Sequence, residues 1–178
     1  MSIKTTALAT AAALALFAPA AFADHHTGEK PIADAAAASD DFKTLAAAVD
    51  AAGLTETLNG DGTFTVFAPT DEAFAALPAG TVDTLLEPAN KAKLTSILTC
   101  HVVDKEVMSA ALTKMIDDNN GTAEIPTLGD CTLQAMVKDG KVMIEDPAGD
   151  MVEVTKADIE ESNGVIHAID GVLMPASS

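Results

Sequence analysis

The stretch Asn163-Gly164-Val165-Ile166-His167-Ala168-Ile169-Asp170-Gly171-Val172-Leu173-Met174-Pro175, close to the C-terminus, decides the fold. Read as a strand, Val165, His167 and Ile169 share one face and Ile166, Ala168 and Asp170 the other, so each face carries two apolar side chains and one polar one. A strand apolar on both faces is covered on both, which puts this one at the centre of the core. Asn163-Gly164 supplies the turn that enters it, and Pro175, with no N–H to give a ladder, closes it. His167 and Asp170 then need partners, because a buried imidazole or carboxylate without hydrogen bonds is costly. Thr70 and Asp71 are the candidates, and on so apolar a strand His167 reads first as a structural residue.

Working outward, the clearest hairpin is centred on Asp139-Gly140, a two-residue type I′ turn that sets Val137 against Val142 and Ala135 against Ile144. Leu133, Ala135, Val137, Val142 and Ile144 then face inward, while Gln134, Met136, Met143 and Glu145 share the opposite, at least partly open face. Val152 and Val154 suggest a further strand ahead of Asp158-Ile159. In the first half, Phe42, Leu45 and Val49 recur at helical spacing after the caps offered by Ser39-Asp40-Asp41, and Gly53 ends that helix. Asn59-Gly60-Asp61-Gly62 lacks the charged ends of a calcium loop and reads as a turn. Phe64 to Phe67 is a short strand. It leads through Ala68-Pro69 to Thr70, an N-cap, with Asp71 and Glu72 placed where a helix dipole favours negative charge. Leu94, Ile97 and Leu98 mark another helix from about Asn90, and Val102-Val103 favours a switch to strand. Helices crowd the first half and strands the second, the pattern of an α+β domain.

Residues 1–23 read as a secretory signal, with Lys4, an apolar run from Ala7 to Phe17 and a small-x-small site at Ala21-Phe22-Ala23. The run is too short for a membrane span, so the expected product is exported, periplasmic or secreted, and not membrane-anchored. Residues 24–31 form a polar arm expected to be mobile, 32–175 the domain and 176–178 a tail. The 178 residues carry a formal charge of -17 and no arginine. A surface of that sign repels phosphate backbones and anionic lipid, so nucleic acid and direct membrane insertion are not expected. Two cysteines bound for an oxidising compartment, Cys100 and Cys131, suit a single disulfide; two free buried thiols are the competing state.

Thr65-Val66-Phe67-Ala68-Pro69-Thr70-Asp71-Glu72-Ala73-Phe74 resembles the first homology box of fasciclin domains, and Asn163 to Pro175 resembles the second. Ile97-Leu98-Thr99-Cys100-His101-Val102-Val103 is similar to the family's tyrosine-histidine segment, with Cys100 in place of the tyrosine. The resemblance runs from about Ile32 to Pro175. It implies an α+β wedge of two packed β-sheets with a helical cluster mainly from the N-terminal half, and an adhesion or matrix module without known chemistry. By position it implies partner contacts at His101, Val102 and Val103, and at Asp158 with Ile159. It gives Thr70, Asp71, His167 and Asp170 structural roles in the two boxes. With Cys100 bonded to Cys131, the disulfide replaces the missing ring as an anchor, and His101 is either a buried hydrogen-bonded residue or a contact residue.

Three function classes follow. An exported interaction module would meet a cell-surface protein, a polysaccharide or another copy of itself. An enzyme is not expected: there is no G-x-S-x-G elbow, no H-E-x-x-H and no phosphate loop. A soluble binder of a metal or small ligand is the alternative. Cleavage after Ala23 would leave Asp24-His25-His26, whose amine, two backbone nitrogens and His26 imidazole form a square-planar set suited to Cu(II) or Ni(II).

Overall fold

The computed structural model describes residues 30–176. The leader, most of the polar arm and the Asp24-His25-His26 motif lie outside the described residues. The described chain holds seven α-helices: α1 (Ile32–Ala38), α2 (Lys43–Ala52), α3 (Thr55–Leu58), α4 (Asp71–Ala75), α5 (Thr81–Leu86), α6 (Lys91–Cys100) and α7 (Ser109–Asp118). It holds seven strands: β1 (Phe64–Pro69), β2 (Val102–Val103), β3 (Thr122–Pro126), β4 (Thr132–Lys138), β5 (Lys141–Glu145), β6 (Met151–Glu161) and β7 (Gly164–Ile169). The α+β expectation holds.

The strand order is β2-β1-β7-β6-β5-β4-β3. β6, 11 residues long, serves two sheets: its start pairs with β5 and its end with β7, through register shifts either side of Lys156. At the centre, β1 and β7 run parallel from Phe64↔Gly164 to Pro69↔Ile169, and both are buried along their whole length. As the sequence predicts, β7 is covered on both faces. Ile166 and Ala168 pack with Phe64, Val66 and Ala68 against α1, α2 and α6, whose buried faces carry Ile32, Leu45, Val49, Leu94 and Ile97. On the other side, Ile169 and Phe67 join Leu133, Ala135, Ile144 and Val152 of the second sheet and Leu112 and Ile116 of α7. Two apolar layers thus flank one central pair of strands.

Gly164 has a local reason to be glycine. Its φ is +149°, and a Cβ there would come within 2.8 Å of the Phe64 backbone nitrogen and carbonyl carbon. The β4–β5 hairpin has the predicted register, Val137↔Val142 and Ala135↔Ile144. Its tip outruns the core, however, and Val137 is 43% exposed instead of facing inward. Asp170 also differs from expectation: it lies one residue past β7, exposed, where its carboxylate accepts the Glu153 N–H at 2.7 Å.

Candidate functional site

Thr70 occupies the N-cap of α4 and its hydroxyl accepts the Ala73 N–H at 3.3 Å. Asp71, in the first turn of α4, faces a different helix: its carboxylate accepts the Thr44 N–H at 2.8 Å, while its own N–H donates to the Asp41 carbonyl at 2.9 Å. Ser39, Asp40 and Asp41 therefore do not cap α2 through their side chains. Asp71 supplies that cap from across the fold, satisfying an N–H that the first turn leaves open.

Neither Thr70 nor Asp71 is the partner of His167. The His167 Nε2 donates to the Val107 carbonyl at 2.7 Å, and Nδ1 accepts the Asp158 N–H at 3.2 Å. A nitrogen that accepts carries no proton, so the ring is neutral. Burial pushes its pKa down, against the pull of the Val107 carbonyl and the Asp158 charge. His101 repeats the arrangement with the nitrogens exchanged. Nδ1 donates to the Ile97 carbonyl at 2.8 Å, and Nε2 accepts the Leu173 N–H at 2.9 Å. Burial lowers its pKa to about 4, opposed by the Ile97 bond and the charge of Asp146. Both rings are 1% exposed.

Asp146 is a buried carboxylate that no motif in the sequence singles out as part of the site. Its carboxylate accepts the Ala148 and Asp150 N–H groups of its own turn and the Met174 N–H at 2.7 Å. The Asp146-Pro147-Ala148-Gly149-Asp150 turn was the available signal, since aspartate at such a position bonds its own backbone two residues on. Together His101 and Asp146 fix consecutive N–H groups of the C-terminal segment. Asn163 is a second unforeseen tie. Its side chain accepts the Ile32 N–H at 2.9 Å and donates to the carbonyls of Leu58 (2.6 Å) and Gly60 (3.2 Å). It thereby joins α1 and the end of α3 to the entrance of β7.

The residues proposed by resemblance as contacts separate into two groups. His101, Val102 and Val103 are buried, so a partner meeting the intact fold does not reach their side chains. Cys100, the last residue of α6, is bonded to Cys131, just ahead of β4, with Cα atoms 5.3 Å apart; the bridge anchors a helix end rather than a strand. Asp158 and Ile159 lie in the irregular part of β6, Asp158 exposed and Ile159 half-buried against the helical side of the core. Asp158 has φ +55°, and its carboxylate accepts the Ser109 N–H at 2.7 Å and the Ser109 hydroxyl, tying β6 to the start of α7. Ile159 lines a cleft of about 490 Å³ between the α1–α2 connection, the first turn of α4, β6 and β7. Phe42, Ile159, Ile166 and Ala168 give it apolar walls, and Asp40, Asp41, Asp71, Glu72 and Glu161 give it carboxylates, with Lys156 among them. Burial raises the Glu161 carboxyl above its ordinary value, partly offset by Lys30. Among the described residues, no group of three or more His, Cys, Asp or Glu side chains is placed to hold a metal ion.

A family model for the fasciclin domain matches residues 40–175. The chain belongs to the fasciclin domain family. Protein sll1483 of Synechocystis is 47% identical to this fasciclin domain over 144 residues, 81% of this chain and 73% of that protein. Immunogenic protein MPB70 of Mycobacterium bovis is 35% identical over 157 residues, 83% of this chain and 70% of the relative. Transforming growth factor-beta-induced protein ig-h3 of Sus scrofa is 38% identical over 137 residues, 77% of this chain but 18% of the relative. A FAS1 domain pair from the insect cell adhesion molecule Fasciclin I superposes with a TM-score of 0.72 at 22% identity, covering 83% of this chain and 51% of that one, and shows the shared fold. No helix among the described residues is long and apolar enough to cross a membrane.

Proposed function

We propose that this fasciclin domain is an exported, non-enzymatic interaction module that meets a cell-surface protein, a polysaccharide or another copy of itself. The observation that carries the reading is the fate, among the described residues, of the histidines and cysteines. His101 and His167 each spend both ring nitrogens on backbone groups inside the core, and Cys100 and Cys131 are bonded to each other. A fold that invests its nucleophiles and bases in architecture presents its surface to partners. The cleft at Ile159 supports a contact there: it combines apolar area with charge, and Ile159 belongs to the Asp158-Ile159 pair to which the family resemblance assigns binding. The insect neighbour, a domain pair from the cell adhesion molecule Fasciclin I, supports such a role. A domain of this size needs clustering to hold surfaces together, because single weak contacts gain strength by multivalency.

The test compares attachment and aggregation of the source cells with the gene intact, deleted, and restored as wild type or as Lys156→Glu/Ile159→Thr with cooperative unfolding retained. Deletion should reduce attachment, the wild type should restore it, and the cleft variant should not. Attachment indifferent to deletion would end the adhesion reading, and full restoration by the variant would remove the contact from this cleft.

A further inference from the structure

The second sheet has one face sunk in the core and one without a covering helix. Leu133 and Ala135 of β4, Ile144 of β5 and Val152 of β6 point into the apolar layer under α7. The alternate positions point outward, and three of them are methionines: Met136, Met143 and Met151. Register places them together. Met136 is directly opposite Met143, and Met143 is opposite Glu153, two residues along β6 from Met151, which itself faces Glu145. Directly opposed side chains start about 5 Å apart and diagonal ones about 7 to 8 Å, distances that methionine's unbranched, three-torsion side chain spans. Met143 is the middle member, with a thioether on the strand at either side. Met136 and Met143 are half-buried and Met151 is 47% exposed, so the row is open to solvent.

Three methionines on an open face do little for the core, and the chemistry they share is a soft, neutral sulfur donor. Thioether sets select Cu(I) over the hard cations that carboxylates prefer. Of the nearby carboxylates, Glu153 is engaged by Lys141 at 2.8 Å, and Glu145 stands across from Met151. The net charge of -17 favours approach of any cation. We infer that Met136, Met143 and Met151 form a surface site for a soft monovalent cation, Cu(I) foremost, held by three thioethers around Met143. Its donor set, three thioethers, differs in kind from the amine and imidazole set that the sequence leads us to expect at Asp24-His25-His26 if cleavage follows Ala23, and binding involves no redox step.

The test uses the mature chain, labelled at its methionine methyl carbons, titrated with Ag(I) as a redox-inert probe, then with Cu(I) under anaerobic reducing conditions in competition with a chromophoric Cu(I) chelator. The methyl signals of Met136, Met143 and Met151 should move together and saturate at one equivalent, while those of Met108, Met115 and Met174 stay in place. Met143→Leu should weaken Cu(I) binding at least tenfold, and the triple leucine variant should abolish the saturable methyl response. Substitution of His25 and His26 by alanine should leave that response intact. Thermal unfolding checks that the leucine variants fold; should the triple variant not fold, Met151→Leu alone, at the most exposed position, reads the loss through the two remaining methyls. Methyl signals that stay still or saturate independently, or Cu(I) affinity unchanged in the folded leucine variants, would overturn the assignment.

Discussion

Acid should weaken this domain through His101. The perturbation is a drop from pH 7 to pH 4. In the fold the imidazole is neutral, because Nε2 must be free of a proton to accept the Leu173 N–H, and its pKa is held to about 4 against an ordinary value of 6.5. Between those values the unfolded chain binds a proton that the folded chain refuses. The stabilisation is therefore fully present above pH 6.5 and is lost progressively as pH falls toward 4. A depression from 6.5 to about 4 is worth at most about 3 kcal/mol, a large share of the roughly 5 to 15 kcal/mol that holds a domain together. His167 is displaced in the same direction and adds to the effect. Acidification also neutralises carboxylates and relieves the repulsion of a highly negative surface, which acts with the opposite sign. The assay must therefore subtract it: urea midpoints at pH 7, 6, 5 and 4 for the wild type and for His101→Gln, with imidazole titration followed by nitrogen NMR. The wild type should lose more stability than the variant between pH 6.5 and 4, and the His101 ring should stay neutral with its proton on Nδ1 down to about pH 4. Parallel pH profiles, or a His101 that titrates near 6.5 while the protein remains folded, would refute the reasoning.

Gly164→Ala should cost about 3 kcal/mol or more by urea unfolding, because the new methyl meets the Phe64 backbone at a φ of +149°; a loss under 1 kcal/mol would show that β1 can move aside. Asn163→Ala, which orphans the Ile32 N–H and two carbonyls, should cost about 2 to 3 kcal/mol and raise hydrogen exchange first in α1; uniform exchange would deny the tie. Reduction of Cys100–Cys131, a span of 31 residues, should lower stability by about 3 to 4 kcal/mol, read by calorimetry with and without reductant and checked by mass. Asp158→Ala should cost about 1 to 2 kcal/mol through lost contacts to Ser109, while Asp158→Asn should retain most of it; equal losses would place the effect in the charge.

What was legible in the sequence is what repeats locally. The doubly covered β7, the Asp139-Gly140 hairpin and the Thr70 cap each depend on side chains within a few positions of one another. The partners of the buried polar residues were not legible, because most are backbone groups, which carry no residue label. Nothing in the local sequence marks Val107 as the acceptor for His167, or Leu173 as the donor to His101. Asp71 looked like a first-turn acid of α4, and it is one, but its carboxylate also starts α2. β6 is hard to see in the sequence because its middle, Thr155 to Asp158, is exposed and irregular, so two apolar pulses read as separate segments instead of one strand shared by two sheets. α7 and β3 also went unread. Leu112, Met115 and Ile116 of α7 do carry a helical spacing.

The parallel pairing of β1 with β7 has a consequence for how the chain comes together. The middle of the sheet is built from two segments about 100 positions apart, so the loop-closure cost falls due before the central contacts can form. Both apolar layers take their floor from β7, and neither can seal until that strand arrives. A polypeptide growing from its N-terminus therefore has no complete core until β7 is available. If it is exported as proposed, β7 acts as a timer that keeps an incomplete domain open for transport and commits it to folding only when the whole domain has been delivered.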